Sequence, residues 1–430
     1  MSLANWLTPE ERETVCHNLL RYGLVKWDNA RSLPLKSGGK TDIYINLRDA
    51  RSTSEAIGYV ARQFANPLFR LNPDRFAEIP DSVSCFAGPI SGLLRIPYVT
   101  IREQAKAGRV AKATMIGEAR YDEFIPMIDD VVTDGASKAE PYRELRRQGI
   151  RTGLVVLVDR QQGWKEKFKE LGINLDVWAG MTLHDVRRFL IKEGLMERCD
   201  RELEAKNPLV VALDGKSWEE ILPIVDPLRT TGCILKVNDL MFGKGMESLI
   251  PDLSVYGRVM ADLKGHDIPN TLANICKWLL PNPPWAVTVH ASGGAKMVAA
   301  VVEAFKGTPT KVLAVTVLTS LDAVDCAGIY VRQPRQQVKS LALIANGGGA
   351  HGFVCSPKEV GMLKGMFPDK TMVIPGIRSA GQDAQDQQRV DTPEAAMANG
   401  ADYLVMGREI LGAPDPVAKV GELLTRLKVI

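Results

Sequence analysis

The segment 261–271, ADLKGHDIPNT, combines two acids and a lysine directly after an apolar run. Asp262 and Lys264 are separated by one residue at the end of a predicted strand, so their side chains share one face of it. Asp267 follows in the predicted loop, and Lys236 ends the preceding strand. Two carboxylates and two ammonium groups of alternating sign would then share a pocket, where each buried charge is supported by opposite neighbours. Such an array fixes Lys264 as a cation beside an entering anion; the structural alternative is a salt-bridge network on a loop.

Two arginines closer to the end of the chain could hold a phosphate group. Arg378 lies in GIR, two residues after Gly376, and Arg408 lies in GRE, directly after Gly407; both follow the end of a predicted strand or lie at it. Guanidinium groups bind phosphate through paired hydrogen bonds, and glycine lets the backbone approach closely. Together with the charge array, this pair favours a catalytic pocket for a phosphorylated ligand over a structural salt-bridge network.

A second candidate site lies in the segment 124–140, FIPMIDDVVTDGASKAE. Its apolar run ends in Asp129 and Asp130, whose adjacent carboxylates can hold ribose hydroxyls. The following loop, 133–137, presents backbone N–H groups at a predicted helix N-terminus, which suits an anion. An isolated acid pair is usually the start of a loop, but this sequence context favours a binding site.

The elements that must position these residues follow a regular pattern in the second half of the chain. Eight short apolar runs alternate with stretches of helical periodicity, and the runs lack strict alternation, as expected of buried parallel strands. This pattern favours an α/β fold of the (β/α)8 TIM-barrel type over the alternative, a doubly wound open sheet. The charged candidates end these runs, where barrel enzymes carry their chemistry. The predicted strands are 209–214, 234–238, 258–264, 285–291, 312–320, 352–356, 371–377 and 403–408.

The first half of the chain predicts a separate α/β domain. Strands are expected at VSCFAG (ending at residue 88), PYVTIR, FIPMIDDVV and GLVVLVDR, and a hairpin is expected to turn at Gly38-Gly39. A charged helical connector ends just before Pro208, because helices usually stop before the residue that precedes proline. We therefore predict two domains, residues 1–204 and 205–430, with the barrel second.

The composition limits the kinds of partner. The 430 residues are 45% hydrophobic and 24% charged with a net charge of +3, so neither a disordered chain nor nucleic acid as the main partner is expected. Seven cysteines without a C-x-x-C spacing and five histidines argue against a disulfide framework and a metal site, and favour a reducing cytoplasm. No apolar run is long enough to span a membrane, and the polar N-terminal segment is not expected to be a signal peptide.

Residues 209–430 resemble orotidine 5′-phosphate decarboxylases along their whole length. The family's D-x-K-x-x-D motif corresponds to Asp262, Lys264 and Asp267, and VHASGG at 289–294 is another family string. The resemblance implies catalytic roles for these three residues and for Lys236. It further implies substrate-binding roles for Asp214, Thr271, Thr319, Arg378, Gln387, Gly407 and Arg408.

The implied reaction removes CO₂ from C6 of the pyrimidine and gives UMP, a step of de novo pyrimidine biosynthesis. The carbanion left at C6 has no π stabilisation, so Lys264 is expected to lie beside it as a cation and then to donate a proton. Asp262 would crowd the departing carboxylate, and binding energy from the distant phosphate can be used at the reacting carbon. No metal or organic cofactor is expected for this reaction. The family's pocket further implies a homodimer through the barrel, with Asp267 reaching into the neighbour's site.

Roughly residues 10–180 resemble orotate phosphoribosyltransferases. Besides the acid pair, the strings LKSGGKTDIYINLR at 35–48 and LVDRQQGWKEKFKELGI at 157–173 carry this resemblance, and the domain order matches that of animal and plant UMP synthases. Mg²⁺ would accompany phosphoribosyl diphosphate if this domain is active. The implied phosphoribosyl- or orotate-binding residues are Lys36, Tyr44, Lys106, Asp129, Asp130, Thr133, Gly135, Ser137 and Arg160.

Two departures from the transferase pattern predict weak or no transferase activity. Segment 102–112, REQAKAGRVAK, places Glu103 where a second basic residue is expected, and a carboxylate there repels diphosphate. Only about eight residues separate VSCFAG from PYVTI, so the helix of a parallel crossover and a substrate-contacting lysine are expected to be missing. The alternatives are a fully bifunctional enzyme that makes UMP from orotate and phosphoribosyl diphosphate, and an N-terminal module that only binds nucleotide or builds an oligomer.

Overall fold

The computed structural model describes residues 6–29, 32–34, 40–101, 115–379 and 391–430. The chain divides into two compact units, Met1–Glu197 and Arg198–Ile430. The boundary predicted after residue 204 falls inside the short helix Arg201–Lys206 of the second unit. In the described ranges, every helix is too short or too polar to cross a membrane.

The first unit contains a mostly parallel sheet. The strands described in the unit as a whole are β1 (Val25–Trp27), β2 (Leu33–Pro34), β3 (Lys40–Thr41), β4 (Ile43–Ile45), β5 (Phe76–Glu78), β6 (Tyr98–Ile101), β7 (Met115–Ile116), β8 (Met127–Val132), β9 (Leu154–Asp159) and β10 (Val177–Thr182), of which β1 to β4 form two separate antiparallel pairs. Its helices are α1 (Pro9–Arg21), α2 (Ser54–Leu71), α3 (Ser84–Leu94), α4 (Ala139–Arg147), α5 (Trp164–Glu170) and α6 (Leu183–Lys192). The sheet has the order β10-β9-β8-β5-β6-β7, and β7 pairs antiparallel with β6. β2 pairs antiparallel with β3, while the predicted turn at Gly38-Gly39 lies outside the described residues.

The crossover between β5 and β6 corrects a prediction from the sequence. The predicted strand VSCFAG is wrong, because these residues begin helix α3 and the strand that precedes it is β5. Phe86, Ala87 and Ile90 are buried in α3, a helical rather than an extended spacing. Since β5 and β6 pair in parallel across α3, the crossover helix that was expected to be missing is present.

The second unit is a closed barrel of eight parallel strands, all within the described residues. The strands are β11 (Leu209–Ala212), β12 (Ile234–Val237), β13 (Val259–Gly265), β14 (Ala286–His290), β15 (Lys311–Val315), β16 (Gly352–Val354), β17 (Thr371–Ile374) and β18 (Tyr403–Met406). The helices are α7 (Arg201–Lys206), α8 (Trp218–Leu228), α9 (Leu240–Lys244), α10 (Met246–Ser254), α11 (Pro269–Lys277), α12 (Ala295–Ala304), α13 (Ala323–Tyr330), α14 (Pro334–Gly347), α15 (Pro357–Met366), α16 (Pro393–Ala398), α17 (Arg408–Leu411) and α18 (Pro416–Arg426). The predicted (β/α)8 barrel is confirmed, and each of the eight predicted runs overlaps one strand.

Apolar side chains from the barrel strands form a layer under the carboxyl ends of the strands. The cluster consists of Val210, Ile234, Met260, Ala286, Leu313, Val373 and Val405. Met260 and Val405 also line the cavity above it. The layer is therefore the floor of that cavity, and it fixes the strands from which the polar residues project.

Candidate active site

A cavity of about 480 Å³ opens where the barrel strands end. It is lined by residues that lie near the end of, or follow, seven of the eight strands, which is how a barrel assembles a site from distant parts of the sequence. The predicted residues that line it are Asp214, Lys236, Asp262, Lys264, Thr319, Arg378, Gly407 and Arg408. The charge array and the two arginines therefore share one cavity.

Four charged side chains of this cavity form a continuous series of ion pairs. Lys236 Nζ donates to Asp214 Oδ2 at 2.6 Å and to Asp262 Oδ2 at 3.1 Å. Lys264 Nζ donates to the same Asp262 oxygen at 2.5 Å. The charges alternate along Asp214, Lys236, Asp262 and Lys264, so within one chain Asp214 takes the place expected for Asp267.

Burial and pairing together set the charges of the array. Burial alone raises the pKa of a carboxyl group, but the ammonium groups of Lys236 and Lys264 and the hydroxyl of Thr288 outweigh it, so the pKa of Asp262 is lowered. Burial likewise opposes the charge of Lys236, but Asp262 and Asp214 outweigh it, and its pKa is raised. The Lys236 side chain is 8% exposed and that of Lys264 is 38% exposed. Lys264 is therefore the ammonium group that a ligand can reach.

The backbone of β13 is irregular where it carries the array. Its register against β14 shifts between Ala261 and Gly265, a β-bulge that contains Asp262 and Lys264. Lys264 has φ +46°, in the left-handed region that is uncommon for a residue with a Cβ atom. A Cβ atom on Gly265 would lie 2.5 Å from Leu272 Cδ1, so a side chain at this position would force Leu272 of α11 to move. The bulge lets both charged side chains line the cavity.

Two further polar residues contact the array, and sequence reasoning did not single them out. Thr288 on β14 is fully buried; its hydroxyl donates to Asp262 Oδ1 at 2.7 Å and accepts from the Lys264 N–H at 2.9 Å. Asn238 Nδ2 donates to the main-chain oxygen of Asp262 at 2.5 Å. The available signal is a lone threonine in the apolar run WAVTVHA, which does not reveal what its hydroxyl contacts.

Arg378 and Arg408 lie after β17 and β18. Arg378 is fixed at its backbone, where its N–H donates to Asp391 O at 3.0 Å, and Nη1 donates to Ile377 O at 2.7 Å. A Cβ atom on Gly407 would lie 3.3 Å from the main-chain oxygen of Ala212, a tight contact between β11 and the end of β18. Two guanidinium groups in one cavity suit a phosphate.

Two of the predicted barrel residues that the structure describes are not brought into this cavity. Asp267 and Thr271, both among the described residues, are absent from its lining. Asp267 is exposed in the loop after β13, and Thr271 lies on α11. Gln387 lies outside the described residues.

A second cavity, of about 470 Å³, lies in the first unit beside the carboxyl end of β8. The predicted residues that line it are Tyr44, Asp129, Asp130, Thr133, Gly135, Ser137 and Arg160. Three further basic residues line it, namely Arg48, Lys138 and Arg147. Lys36, Lys106 and Glu103 lie outside the described residues.

The acid pair of this second cavity is unevenly neutralised. Lys138 Nζ forms an ion pair with Asp129, and both side chains are buried. The Asp130 N–H donates to Asp129 Oδ1 at 2.8 Å. Burial and, after it, the charge of Asp129 raise the pKa of Asp130 to about 7. Asp130 therefore releases its proton less readily than an ordinary aspartate does.

The loop after the acid pair has a backbone that only glycine fits well. Gly135 has φ +78°, and a Cβ atom there would lie 2.3 Å from Phe168 Cε1. Arg160, which also lines this cavity, is held in position by a hydrogen bond that its Nη2 donates to Thr41 Oγ1 at 2.9 Å. The structure thus brings the predicted ribose-binding acids, the anion loop and Arg160 to one cavity.

Comparison with known proteins assigns the second unit. Residues 207–423 match the model of the orotidine 5′-phosphate decarboxylase / HUMPS family. The orotidine 5′-phosphate decarboxylase of Pseudomonas paraeruginosa is 40% identical over 227 residues, which cover 52% of this chain and 98% of that protein. The decarboxylase of Chromobacterium violaceum is 42% identical over 222 residues, which cover 50% of this chain and 90% of that protein.

Among solved structures, the orotidine 5′-phosphate decarboxylase from Lactobacillus acidophilus is 34% identical, with a TM-score of 0.45, and covers 51% of this chain and 99% of that one. The assignment rests on the sequence matches, which extend over nearly the whole length of the Pseudomonas relative. The segment that matches the family model contains the entire charge array and both arginines. The chain therefore belongs to the orotidine 5′-phosphate decarboxylase / HUMPS family, and its barrel decarboxylates orotidine 5′-phosphate in pyrimidine biosynthesis.

Proposed function

We propose that Lys264 is the proton donor of the decarboxylation and that Asp262 and Lys236 hold it in place. The observation that carries this proposal is the alternation of charge along four side chains of one cavity. Lys264 is the more exposed of the two ammonium groups, and it pairs with a buried carboxylate whose lowered pKa keeps it ionised. A fixed cation at the edge of open space suits a reaction that develops negative charge.

The reaction breaks the bond between C6 of the pyrimidine and its carboxylate carbon, and the electron pair stays on C6 while CO₂ leaves. Lys264 stabilises that electron pair electrostatically and transfers one proton from Nζ to C6; the resulting amine recovers a proton from water. Asp262 lies against the substrate carboxylate, and this like-charge contact is relieved when CO₂ departs. The chain's own lysine supplies both cation and proton, so we propose no metal or organic cofactor for this step.

The remaining cavity residues are proposed to bind the rest of the nucleotide. Arg378, Arg408 and Gly407 hold the 5′-phosphate together with Gln387. Asp214 binds ribose hydroxyls, and Thr319, which is nearly buried, contacts the pyrimidine. Phosphate binding far from C6 provides energy that the enzyme can use at the reacting carbon.

We propose that two barrels form a homodimer in which Asp267 and Thr271 complete the partner's cavity. Both residues lie outside the cavity of their own chain. The neighbouring Ile268 is 67% exposed, and Phe242, after β12, is 78% exposed. Large exposed apolar side chains beside a motif aspartate suit burial against a second copy of the chain.

For the first unit we propose that the second cavity binds a phosphorylated ribose. Asp129 and Asp130 would accept hydrogen bonds from ribose hydroxyls, and the loop 133–137 would hold a phosphate. The described residues contain no group of three or more His, Cys, Asp or Glu side chains that could hold a metal, and Asp129 is already paired with Lys138. Mg²⁺ is therefore proposed to enter together with phosphoribosyl diphosphate rather than to be held by the protein beforehand.

We propose that transfer of the phosphoribosyl group to orotate by this unit is weak. The crossover helix α3 is present, so a missing helix does not weaken this activity. Two features still weaken diphosphate binding: the negative charge of Glu103, and the absence of a lysine from the cavity-lining segment 79–82. Full conversion of orotate to UMP is the second candidate function. It is favoured by the three extra basic residues of the second cavity.

Two assays on the same preparation of the full chain test these proposals. With orotidine 5′-phosphate, release of CO₂ and UMP is expected; with orotate, phosphoribosyl diphosphate and Mg²⁺, slow orotate consumption is expected. The double variant Asp129→Asn/Asp130→Asn should lose orotate consumption and keep decarboxylation. Comparable rates in the two assays would establish the second candidate function. We propose a cytoplasmic location for this chemistry, a proposal supported by seven cysteines, all among the described residues, that form no disulfide.

A further inference from the structure

We propose that Thr288 is a positioning residue for decarboxylation, which sets both the backbone of Lys264 and the carboxylate of Asp262 through one hydroxyl group. This inference rests on the proposed role of Lys264 as proton donor. Among the described residues that line the cavity, Thr288 is not included, so its side chain does not contact the open space. It acts on the substrate only through the two residues that it holds.

The register of β13 against β14 shifts beside Thr288. Ala261 pairs with Val287, and Gly265 pairs with Val289. Between these pairs β13 has three residues and β14 has only Thr288, so the bulge leaves Thr288 alone opposite Asp262 and Lys264. In a regular parallel ladder the Lys264 N–H would donate to a main-chain oxygen of β14, but here it donates to Thr288 Oγ1 at 2.9 Å.

Lys264 has a left-handed backbone conformation. Its φ of +46° is unfavourable for a residue with a side chain and persists only where the surroundings hold it. The hydrogen bond from its own N–H to a buried hydroxyl is such a restraint. In this conformation Lys264 Nζ reaches Asp262 Oδ2 and the side chain remains partly exposed to the cavity.

The two carboxylate oxygens of Asp262 accept hydrogen bonds from different residues. Oδ2 accepts hydrogen bonds from both Lys236 and Lys264, at 3.1 Å and 2.5 Å, and Oδ1 accepts one from Thr288 at 2.7 Å. With both oxygens engaged, the carboxylate cannot rotate about its terminal bond. The Thr288 hydroxyl acts both as a hydrogen-bond donor, to Asp262, and as an acceptor, from Lys264. A methyl group in its place could neither donate nor accept these hydrogen bonds.

Thr288→Val tests this inference in the full chain, since valine fills the same volume without the hydroxyl. We expect kcat for orotidine 5′-phosphate to fall about 100-fold, because the proton donor is misplaced relative to C6. KM and the affinity for UMP should stay within about twofold, because the phosphate contacts are far from Thr288. Thr288→Ser keeps the hydroxyl and should recover most of the rate.

Thr310→Val is the matched control. Thr310 is also buried, and its hydroxyl donates to Pro284 O at 2.7 Å just before β15, away from the cavity. A wild-type rate for Thr288→Val, a Thr288→Ser variant as slow as Thr288→Val, or an equal loss in Thr310→Val would each overturn the inference. If Lys264→Ala keeps its turnover, the proposed proton donor is wrong; if Lys264→Ala is inactive and Thr288→Val is normal, only the role of Thr288 is wrong.

Discussion

In the barrel cavity the carboxylate of Asp262 lies between the ammonium groups of Lys236 and Lys264, whereas in the first unit Lys138 pairs with Asp129 and Asp130 lies beside that same aspartate. The consequences for protonation are opposite. The pKa of Asp262 is lowered despite its burial, while burial and the neighbouring Asp129 raise the pKa of Asp130 to about 7. Two cavities of nearly equal volume thus hold their acids in different states.

The two arrangements differ in how much each cavity must change when a ligand arrives. The barrel array is already neutralised and hydrogen-bonded, so it costs little reorganisation when the substrate enters. In the first unit Lys138 is paired with Asp129, and donors from a ligand would add to the Val131 N–H that Asp130 already accepts. The first arrangement suits catalysis, and the second suits ligand binding.

The largest expected effect comes from removing the ammonium group of the barrel. Lys264→Ala should lower decarboxylation about 10⁴-fold or more, because it removes both the proton donor and the cation beside C6. UMP should still bind, since its phosphate contacts remain, and titration calorimetry with UMP checks this. Lys277→Ala, which removes an exposed lysine of α11, is the control and should keep full activity. Turnover by Lys264→Ala close to that of the wild type would refute its assignment.

Mixing two inactive variants tests whether the barrel cavity needs a second chain. If Asp267 completes the partner's site, equal amounts of Lys264→Ala and Asp267→Ala should recover about a quarter of wild-type activity after subunit exchange, because half of the dimers are hybrids with one intact cavity. Subunit exchange is verified by mass labelling of one variant. Verified hybrids without activity would argue against a shared site.

The first unit should respond to an added cation. Glu103→Lys is expected to raise orotate consumption about tenfold, because a positive charge near the departing diphosphate stabilises the transition state. Decarboxylation by the same preparation should not change. Glu118→Lys, a substitution of an exposed acid elsewhere in the unit, makes the same charge change and is expected to have no effect. Equal gains from both variants would indicate a general field effect rather than a missing contact.

The smallest expected effect is a pH dependence of stability. Because the pKa of Asp130 is raised to about 7, the folded protein binds a proton that the unfolded chain releases, so this stability is present in acid and is lost as pH rises through about 7. The free energy of opening β8 and β9, measured by hydrogen exchange, should fall by about 1 kcal/mol between pH 6 and 8. Asp130→Asn should remove this slope, and Asp176→Asn, which changes an exposed acid, should keep it. A flat profile in the wild type would contradict the raised pKa.

The barrel could be predicted from the sequence because its strands are apolar throughout and recur at even intervals, a pattern that few other folds share. The helix α3 could not, because VSCFAG is a short apolar run that contains a β-branched and an aromatic residue. Such a run fits a buried strand and the buried face of a helix equally well. The true strand β5, Phe76–Glu78, is too short and too close to charged residues to stand out.

The candidate site was predictable in its residue types and only partly in its contacts. Strand periodicity places Asp262 and Lys264 together, and both line the barrel cavity. The participation of Asp214 in the ion-pair series depends on the pairing of β11 with β12, and the contacts of Thr288 depend on a register shift. Both are properties of the assembled sheet, which local sequence patterns do not contain.

The pairing of β11 with β18 has a consequence for synthesis on the ribosome. The residues of the charge array follow β11, β12 and β13, while Arg408 follows β18, the last strand to emerge. A chain that stops before β18 contains the four residues of the charge array, but it lacks the strand that closes the barrel and Arg408, which follows that strand. Closure of the barrel by β18 therefore also brings Arg408 into the cavity that holds the charge array.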